Sequence, residues 1–301
     1  MYDTIIIGAG PAGLTAAIYL KRANKSVLLI EKEGIGGQIA SSPLVENYPG
    51  FKAISGAELA NNLYEQVDNL GCEIAIEEVL EITKDKKVIT DSGEYQAKVI
   101  IIATGCEYRK LNLEGEEDFI GSGIHFCVSC DGAFYKGEEV ALIGDGNTAL
   151  QYSILLSNYC KKVYVCTLFD KFFGDMALVE TLKKKDNVEI IPNISLISFK
   201  ASEKLEGLVF KYTNNPLETI ELKVPACFIA IGQVPDNKIF EGLVELDKDG
   251  YIVADEYLKT STKGLFVAGD CRVKRIRQLT TAVSDGATAA INATSYIDKY
   301  F

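Results

Sequence analysis

The chain opens on an apolar, β-branched run, Thr4–Ile7, followed by Gly8-Ala9-Gly10-Pro11-Ala12-Gly13, the helical pattern Leu14–Arg22 and a second apolar run, Val27–Ile30. Apolar runs without polar alternation predict strands buried on both faces, as in parallel sheets with helical crossovers. The same order returns later as Glu139–Ile143, the turn Gly144-Asp145-Gly146-Asn147-Thr148-Ala149, the helical stretch Leu150–Tyr159 and the strand Val163–Thr167. Each copy reads as a βαβ opening with glycines at its turn. Elsewhere, Ser55–Leu70 predicts a helix, Cys72–Asp91 short strands turning at Asp85-Lys86, and Val99–Ala103 a buried strand. Leu208–Thr213 and Thr219–Val224 predict a hairpin around Asn214-Asn215-Pro216. Cys227–Ile231 and Leu265–Ala268 read as buried strands, and Gln278–Tyr300 as the last helix.

This order predicts an α/β fold of two Rossmann-like (three-layer) nucleotide-binding-type domains, the second inserted in the first. The expected boundaries are 1–110 with 237–301, and 111–236 for the insert. At 301 residues and 48% hydrophobic, such a chain removes roughly 75% of its unfolded surface from water. Its 31 basic and 42 acidic side chains give a net charge of −11, which argues against nucleic acid as a partner. Thr4–Leu20 is uncharged but carries three glycines and a proline and falls short of the ~20 residues a membrane span needs. No membrane partner is expected, and no signal peptide is visible ahead of the first strand. The eight cysteines are mostly isolated within apolar segments, unlike a secreted disulfide framework. The expected compartment is cytoplasmic.

In the first turn Gly8 permits the bend, Gly10 lets a pyrophosphate approach the backbone, and Gly13 lets helix and strand pack closely. Pro11 and Ala12 belong to the same turn, and the helix that follows offers free N–H groups and a dipole that favour an anion. Glu31 stands 18 residues after Gly13, at the end of the second strand, where an acid hydrogen-bonds ribose hydroxyls. This motif does not separate FAD from NAD.

Cys127-Val128-Ser129-Cys130-Asp131 is the most chemical segment. Two cysteines three apart can close a small disulfide, and a helix start would lower a thiol pKa. A zinc site would need a second ligand pair; the other cysteines are singletons and His125 is the only histidine, so no metal is expected. Asp131 is placed to handle the proton that thiolate chemistry exchanges, or else to cap the helix. His125 either serves that chemistry or simply packs.

With GAGPAG, Gly36-Gly37-Gln38, VENYPG at 45–50, ATG at 103–105, CVSCDG at 127–132, IGQVPDN at 231–237, LFVAGD at 265–270 and RQLTTA at 277–282 in order, the chain resembles the low-molecular-weight thioredoxin reductase family along nearly its whole length. That resemblance implies an FAD domain carrying an inserted nucleotide domain with the redox dithiol, a homodimer, and thioredoxin as protein substrate. By the match, Gly37, Gln38, Asn47, Val79, Thr104, Gly105, Gly269, Asp270, Gln278 and Leu279 line FAD beside the Gly8–Gly13 turn and Glu31. Cys130 faces the flavin, and Cys127 attacks the thioredoxin disulfide.

The second turn departs from the family. Its NADPH domain carries three consecutive glycines, and a following His-Arg-Arg-Asp with a further Arg holds the 2′-phosphate. Here the turn holds Asp145, the later segment reads Thr167-Leu168-Phe169-Asp170, and Phe173 stands where the further Arg would be. Each lost bond to a charged group is worth about 1.5–3 kcal/mol. The chain therefore resembles the flavin-dependent ferredoxin:thioredoxin reductases, a subgroup without the NADPH motifs, which implies reduced ferredoxin as donor. Arg272, Lys274, Arg275 and Arg277 form the expected docking patch for an acidic donor. The alternatives are an NADPH-dependent thioredoxin reductase with an altered nucleotide site, a flavin dithiol oxidase using oxygen, and a redox sensor without turnover. Tyr300-Phe301 could cover a flavin face, though packing of a helix end is the expectation.

Overall fold

In the computed structural model, which describes every residue except Pro43, the chain forms two compact units. Met1–Glu107 and Val234–Phe301 make the first, and Tyr108–Gln233 the second.

The first unit is built on a seven-stranded sheet. Its parallel part joins Glu73–Ile76, Val27–Glu31, Tyr2–Ile7, Glu94–Ile102 and Leu265–Val267. Lys87–Thr90 and Val79–Ile82 extend it as an antiparallel arm. The apolar runs lack alternation because both faces are covered. Ile6, Leu29, Val99 and Ile101 pack on the side of the helices Pro11–Arg22 and Leu279–Tyr300. Ile5, Ile7, Leu28, Ile30, Ile100 and Ile102 pack on the other side with Phe240, Val244 and Ile252. In Leu279–Tyr300 the buried positions Ala282, Asp285, Gly286, Ala289, Ala290, Ala293 and Ile297 recur at helical spacing, and small residues there let the backbones approach.

The second unit repeats the plan with a five-stranded parallel sheet in the order Val188–Ile191, Lys162–Cys166, Glu139–Ile143, Cys227–Ile229, Ile124–His125. The expected hairpin is present as Leu205–Tyr212 against Thr219–Leu222, with Ile194–Ala201 added as a third antiparallel strand. That strand was missed because its outward positions Ser195, Ile197 and Ser198 give no clean alternation. The helix Met176–Lys183 was also missed. The expected α/β class with two Rossmann-like, three-layer units is what the chain adopts.

Leu279–Tyr300 spans 22 residues, about 33 Å of helix. Tyr300, with its ring 4.7 Å from that of Tyr296, therefore lies a full helix length from Gln278 in the same chain. Tyr300 and Phe301 are both exposed at the end of that helix.

A Cβ on Gly286 would stand 2.2 Å from the Ala12 carbonyl oxygen. In an open helix Gly→Ala gains up to ~1 kcal/mol. Here Gly286→Ala should instead destabilise the protein by about 1–3 kcal/mol of overpacking, read as a lower urea midpoint.

Candidate functional site

The first glycine turn is a backbone-lined cradle. Gly8 has φ +102°, and a Cβ there would meet the Ala103 carbonyl oxygen at 2.4 Å. A Cβ on Gly13 would meet the Gly8 carbonyl oxygen at 1.9 Å. Gly10 and Gly105 face open space, while Gly37 comes within 3.2 Å of the Gly10 Cα and Gly269 within 2.9 Å of the Ala12 Cβ, measured from an added Cβ. Pro11 opens the helix with Gly10 as its N-cap. Glu31 is held to the same turn, accepting from the Ala9 amide at 2.7 Å and the Glu33 amide at 3.1 Å. Gln38 donates to the Cys106 carbonyl. Asn47 donates to Gln278 at 3.4 Å, and Gln278 caps the helix beginning at Leu279 through a capping box with Thr281. Thr104 donates to Asn237 at 3.4 Å. Val79 stands apart: its side chain is buried in the core with Ile5 and Leu28, leaving only its main chain for a ligand.

The loop after Leu265–Val267 is organised by Asp285, a buried carboxylate on the inner face of the last helix. It accepts from the Gly269 amide at 3.1 Å, from Arg272 at 2.8 and 2.9 Å, and from Lys274 at 2.9 Å. Burial pushes the Asp285 carboxyl up, but the two cations outweigh it and hold it below its ordinary value. Arg277 stacks on Tyr251 at 4.0 Å and donates to the Asp270 carbonyl at 3.2 Å. The expected docking patch is therefore corrected. Arg272, Lys274 and Arg277 are spent on internal bonds, and only Arg275 of the four is exposed, flanked by the exposed Ile276.

In the second unit Cys127 and Cys130 form a disulfide with a Cα–Cα distance of 5.3 Å. Cys127 is the N-cap of the short helix Val128–Asp131. It is buried while Cys130 is half-buried, so the attacking role implied for Cys127 falls on the more covered sulfur. The other six cysteines are free and buried. Burial pushes the thiols of Cys72, Cys160 and Cys271 up to about 11 and that of Cys106 up to about 12. It also raises Cys166 and Cys227. Among the described residues no group of three or more His, Cys, Asp or Glu could hold a metal ion. His125 is buried, with Nε2 2.7 Å from the Tyr135 hydroxyl and Nδ1 3.2 Å from Asp131 Oδ2.

The second glycine turn has the backbone of the first and a different rim. A Cβ on Gly144 would meet the Ala230 carbonyl oxygen at 2.4 Å, while Gly146 faces open space. The segment beyond Cys166 folds onto the turn: the Phe173 amide donates to the Asp145 carbonyl and the Asp175 amide to Asn147 Oδ1, both at 2.7 Å. Leu168, Phe169, Phe173 and Met176 are exposed. The one cation between Thr167 and Asp175, Lys171, lies over the Phe173 ring at 5.2 Å.

Residues 2–286 match the model of the pyridine nucleotide-disulphide oxidoreductase family. The chain belongs to that family. A thioredoxin reductase of Bacillus subtilis is 38% identical over 302 residues, spanning 99% of this chain and 96% of that one. A 34.2 kDa protein in a rubredoxin operon of Clostridium pasteurianum is 41% identical over 299 residues, spanning 98% and 97%. The crystal structure of a Streptococcus pyogenes thioredoxin reductase superposes with a TM-score of 0.95 at 36% identity, covering 100% of this chain and 99% of that one. Within the family, this chain is an oxidoreductase of the thioredoxin reductase type.

Flavoenzymes of this type take FAD, and the first unit fits it. At the Gly8–Gly13 turn a Cβ on Gly10 would project into the open space before the helix N-terminus, where a pyrophosphate would lie. Glu31 stands against the turn. Asp270 Oδ1 is buried with no hydrogen bond and with only the Lys274 ammonium beside it at 3.7 Å, which leaves it able to accept from a hydroxyl. Burial raises the Asp270 carboxyl, which Lys274 and Arg277 partly oppose. Sequence reasoning missed Asp285 and Asn237. The signal for Asp285 was a carboxylate on a buried helical face, which demands cationic partners. Asn237 is 1% exposed and donates to the carbonyls of Gly250 and Cys271 at 2.9 and 2.7 Å. It ends the IGQVPDN motif, whose chemistry gave no role.

Two outcomes follow. Asp285→Asn, which leaves two cations under-compensated, should cost about 3–5 kcal/mol in denaturant unfolding near neutral pH. Because the folded carboxyl lies below its ordinary value, that difference should be full above the ordinary carboxylate pKa of about 3.9 and shrink as the pH falls below it. Separately, the reduced, folded protein should take up two equivalents of iodoacetamide at pH 8, and the other six only after denaturation.

Proposed function

We propose that this protein reduces thioredoxin through the Cys127–Cys130 dithiol and draws its electrons from a low-potential one-electron carrier, reduced ferredoxin, in place of NADPH. The supporting observation is the rim of the second glycine turn. A 2′-phosphate needs convergent cations, and this rim offers exposed Phe169, Phe173 and Met176, with the single Lys171 drawn over an aromatic ring.

Potentials of about −400 mV for a plant-type ferredoxin and about −270 mV for thioredoxin leave a drop of ~130 mV, or roughly 6 kcal/mol for two electrons. FAD, held by the Gly8–Gly13 cradle, Glu31, Gln38, Asp270 and the Gln278 helix end, supplies the exchange between one-electron and two-electron chemistry when bound. The reduced Cys127–Cys130 pair then acts by thiol–disulfide exchange. One thiolate attacks a thioredoxin sulfur, and the other displaces the mixed disulfide. The enzyme disulfide re-forms and a thioredoxin dithiol leaves. Asp131, directly after Cys130, holds the proton between these steps. The family resemblance supports a homodimer, and six unpaired buried thiols support a reducing compartment such as the cytoplasm.

The open space at Gly146, at the start of the helix Asn147–Leu156, favours the rival reading of an NADPH-fed reductase. Anaerobic bleaching of the oxidised flavin separates the two. Reduced ferredoxin should bleach it, thioredoxin should restore the yellow colour, and NADPH or NADH should do neither. Prompt bleaching by NADPH would establish the rival.

A further inference from the structure

His125 sits on the strand Ile124–His125, paired with Phe228 across the ladder to Cys227–Ile229. Its ring stacks on Phe228 at 5.3 Å and meets Tyr135 edge-on at 5.2 Å. Asp131 and Tyr135 lie four residues apart, and they reach its two nitrogens separately. Burial, and then the Asp131 charge, push the Tyr135 phenol up to about 12, so it stays neutral and can donate or accept. The Asp131 carboxylate 3.2 Å from Nδ1 is what favours the ring proton on that nitrogen, with Tyr135 then donating to Nε2. The contact between Nδ1 and Asp131 is at ion-pair distance but off the line a hydrogen bond needs, and Asp131 Oδ1 is buried with no hydrogen bond at all. The other titratable groups at this end include Tyr152, raised by burial and by the Asp131 charge, Tyr159, raised by burial with its hydroxyl against Gly132, and Cys160, whose thiol donates to the Tyr135 carbonyl at 3.4 Å.

From this geometry we infer that His125 and Tyr135 are positioning residues for the proton of the dithiol reaction. Tyr135 donates to Nε2 in the tautomer that Asp131 favours, and His125 holds Asp131 ready to take and return a proton. The inference rests on the dithiol reading above and extends it to two residues. In the reaction the first thiol gives its proton to Asp131 and attacks a substrate disulfide. A new S–S bond forms, the substrate S–S bond breaks, and the leaving thiolate takes that proton from Asp131. The second thiol repeats the exchange against the mixed disulfide. Two thiols are oxidised, one disulfide is reduced, and both protons end on product. Without His125 and Tyr135, the Asp131 carboxylate loses the ring N–H that faces it before it takes the proton and after it returns it.

The test uses FAD-loaded enzyme reduced with dithiothreitol and freed of excess reductant, so it does not depend on the electron donor. Two small disulfides are compared, one aliphatic with a basic leaving thiol near pKa ~8.5, one aromatic whose leaving thiolate needs no proton. The readout is the ratio of their single-turnover rates, in which a loss of folded protein or of thiol ionisation cancels. Proton transfer by a placed group contributes about 10²–10⁴-fold, so Asp131→Asn should lower the aliphatic-to-aromatic ratio by at least ~10-fold. His125→Gln should lower it by about 10-fold, and Tyr135→Phe, which keeps the ring and removes only the hydroxyl, by about 3-fold or more. A ratio unchanged in His125→Gln and Tyr135→Phe but lowered in Asp131→Asn would overturn the positioning role alone. A ratio unchanged in all three would overturn it together with the assignment of Asp131.

Discussion

Three close approaches, two of them backbone on backbone, meet at the first turn of the helix Pro11–Arg22. Gly13 lies on the Gly8 carbonyl, Gly286 on the Ala12 carbonyl, and Gly269 against Ala12 itself. Each contact is closer than any side chain allows, so the helix is wedged between the sheet, the last helix and the loop that ends Leu265–Val267. The open face of Gly10 and the placement of Asp270 follow from that wedge. Asp285 secures it with charge: one buried carboxylate draws Gly269, Arg272 and Lys274 together. The cations are satisfied in place, at the expense of a basic outer surface.

The two glycine turns show how far a backbone determines chemistry. Gly8 and Gly144 make the same close approach to a neighbouring strand, through the carbonyls of Ala103 and Ala230. Around the first, an acid and several polar groups converge. Around the second, Phe173 and Asp175 close onto the turn with their own amides. The fold is retained at both, and the side chains at the rim decide what each can bind.

Much of the fold was legible because its strands are buried on both faces and its turns are marked by glycine. Glu139–Ile143 was readable to the residue for that reason, and Leu279–Tyr300 almost so from the helical spacing of its apolar positions. The strand Ile194–Ala201 was not, since one face of it is solvated and it carries irregular pairing at Leu196–Ser198. At the site, the glycines, the dithiol and Glu31 could be found from spacing alone. The pairing of Arg272 and Lys274 with Asp285 could not, because a run of cations looks the same whether it faces water or a carboxylate on a helix 13 and 11 residues further on. His125 was ambiguous for a related reason. Only the ladder that sets it beside Phe228, and the turn that returns Tyr135, reveal what its two nitrogens touch.

The burial of six thiols reaches beyond folding. A molecule that handles disulfides is surrounded by reagents able to modify any accessible sulfur. With Cys72, Cys106, Cys160, Cys166, Cys227 and Cys271 enclosed, a passing thiol reagent such as glutathione disulfide finds a single address on this chain. Damage and signal alike are then written on the one peptide that the catalytic cycle can erase.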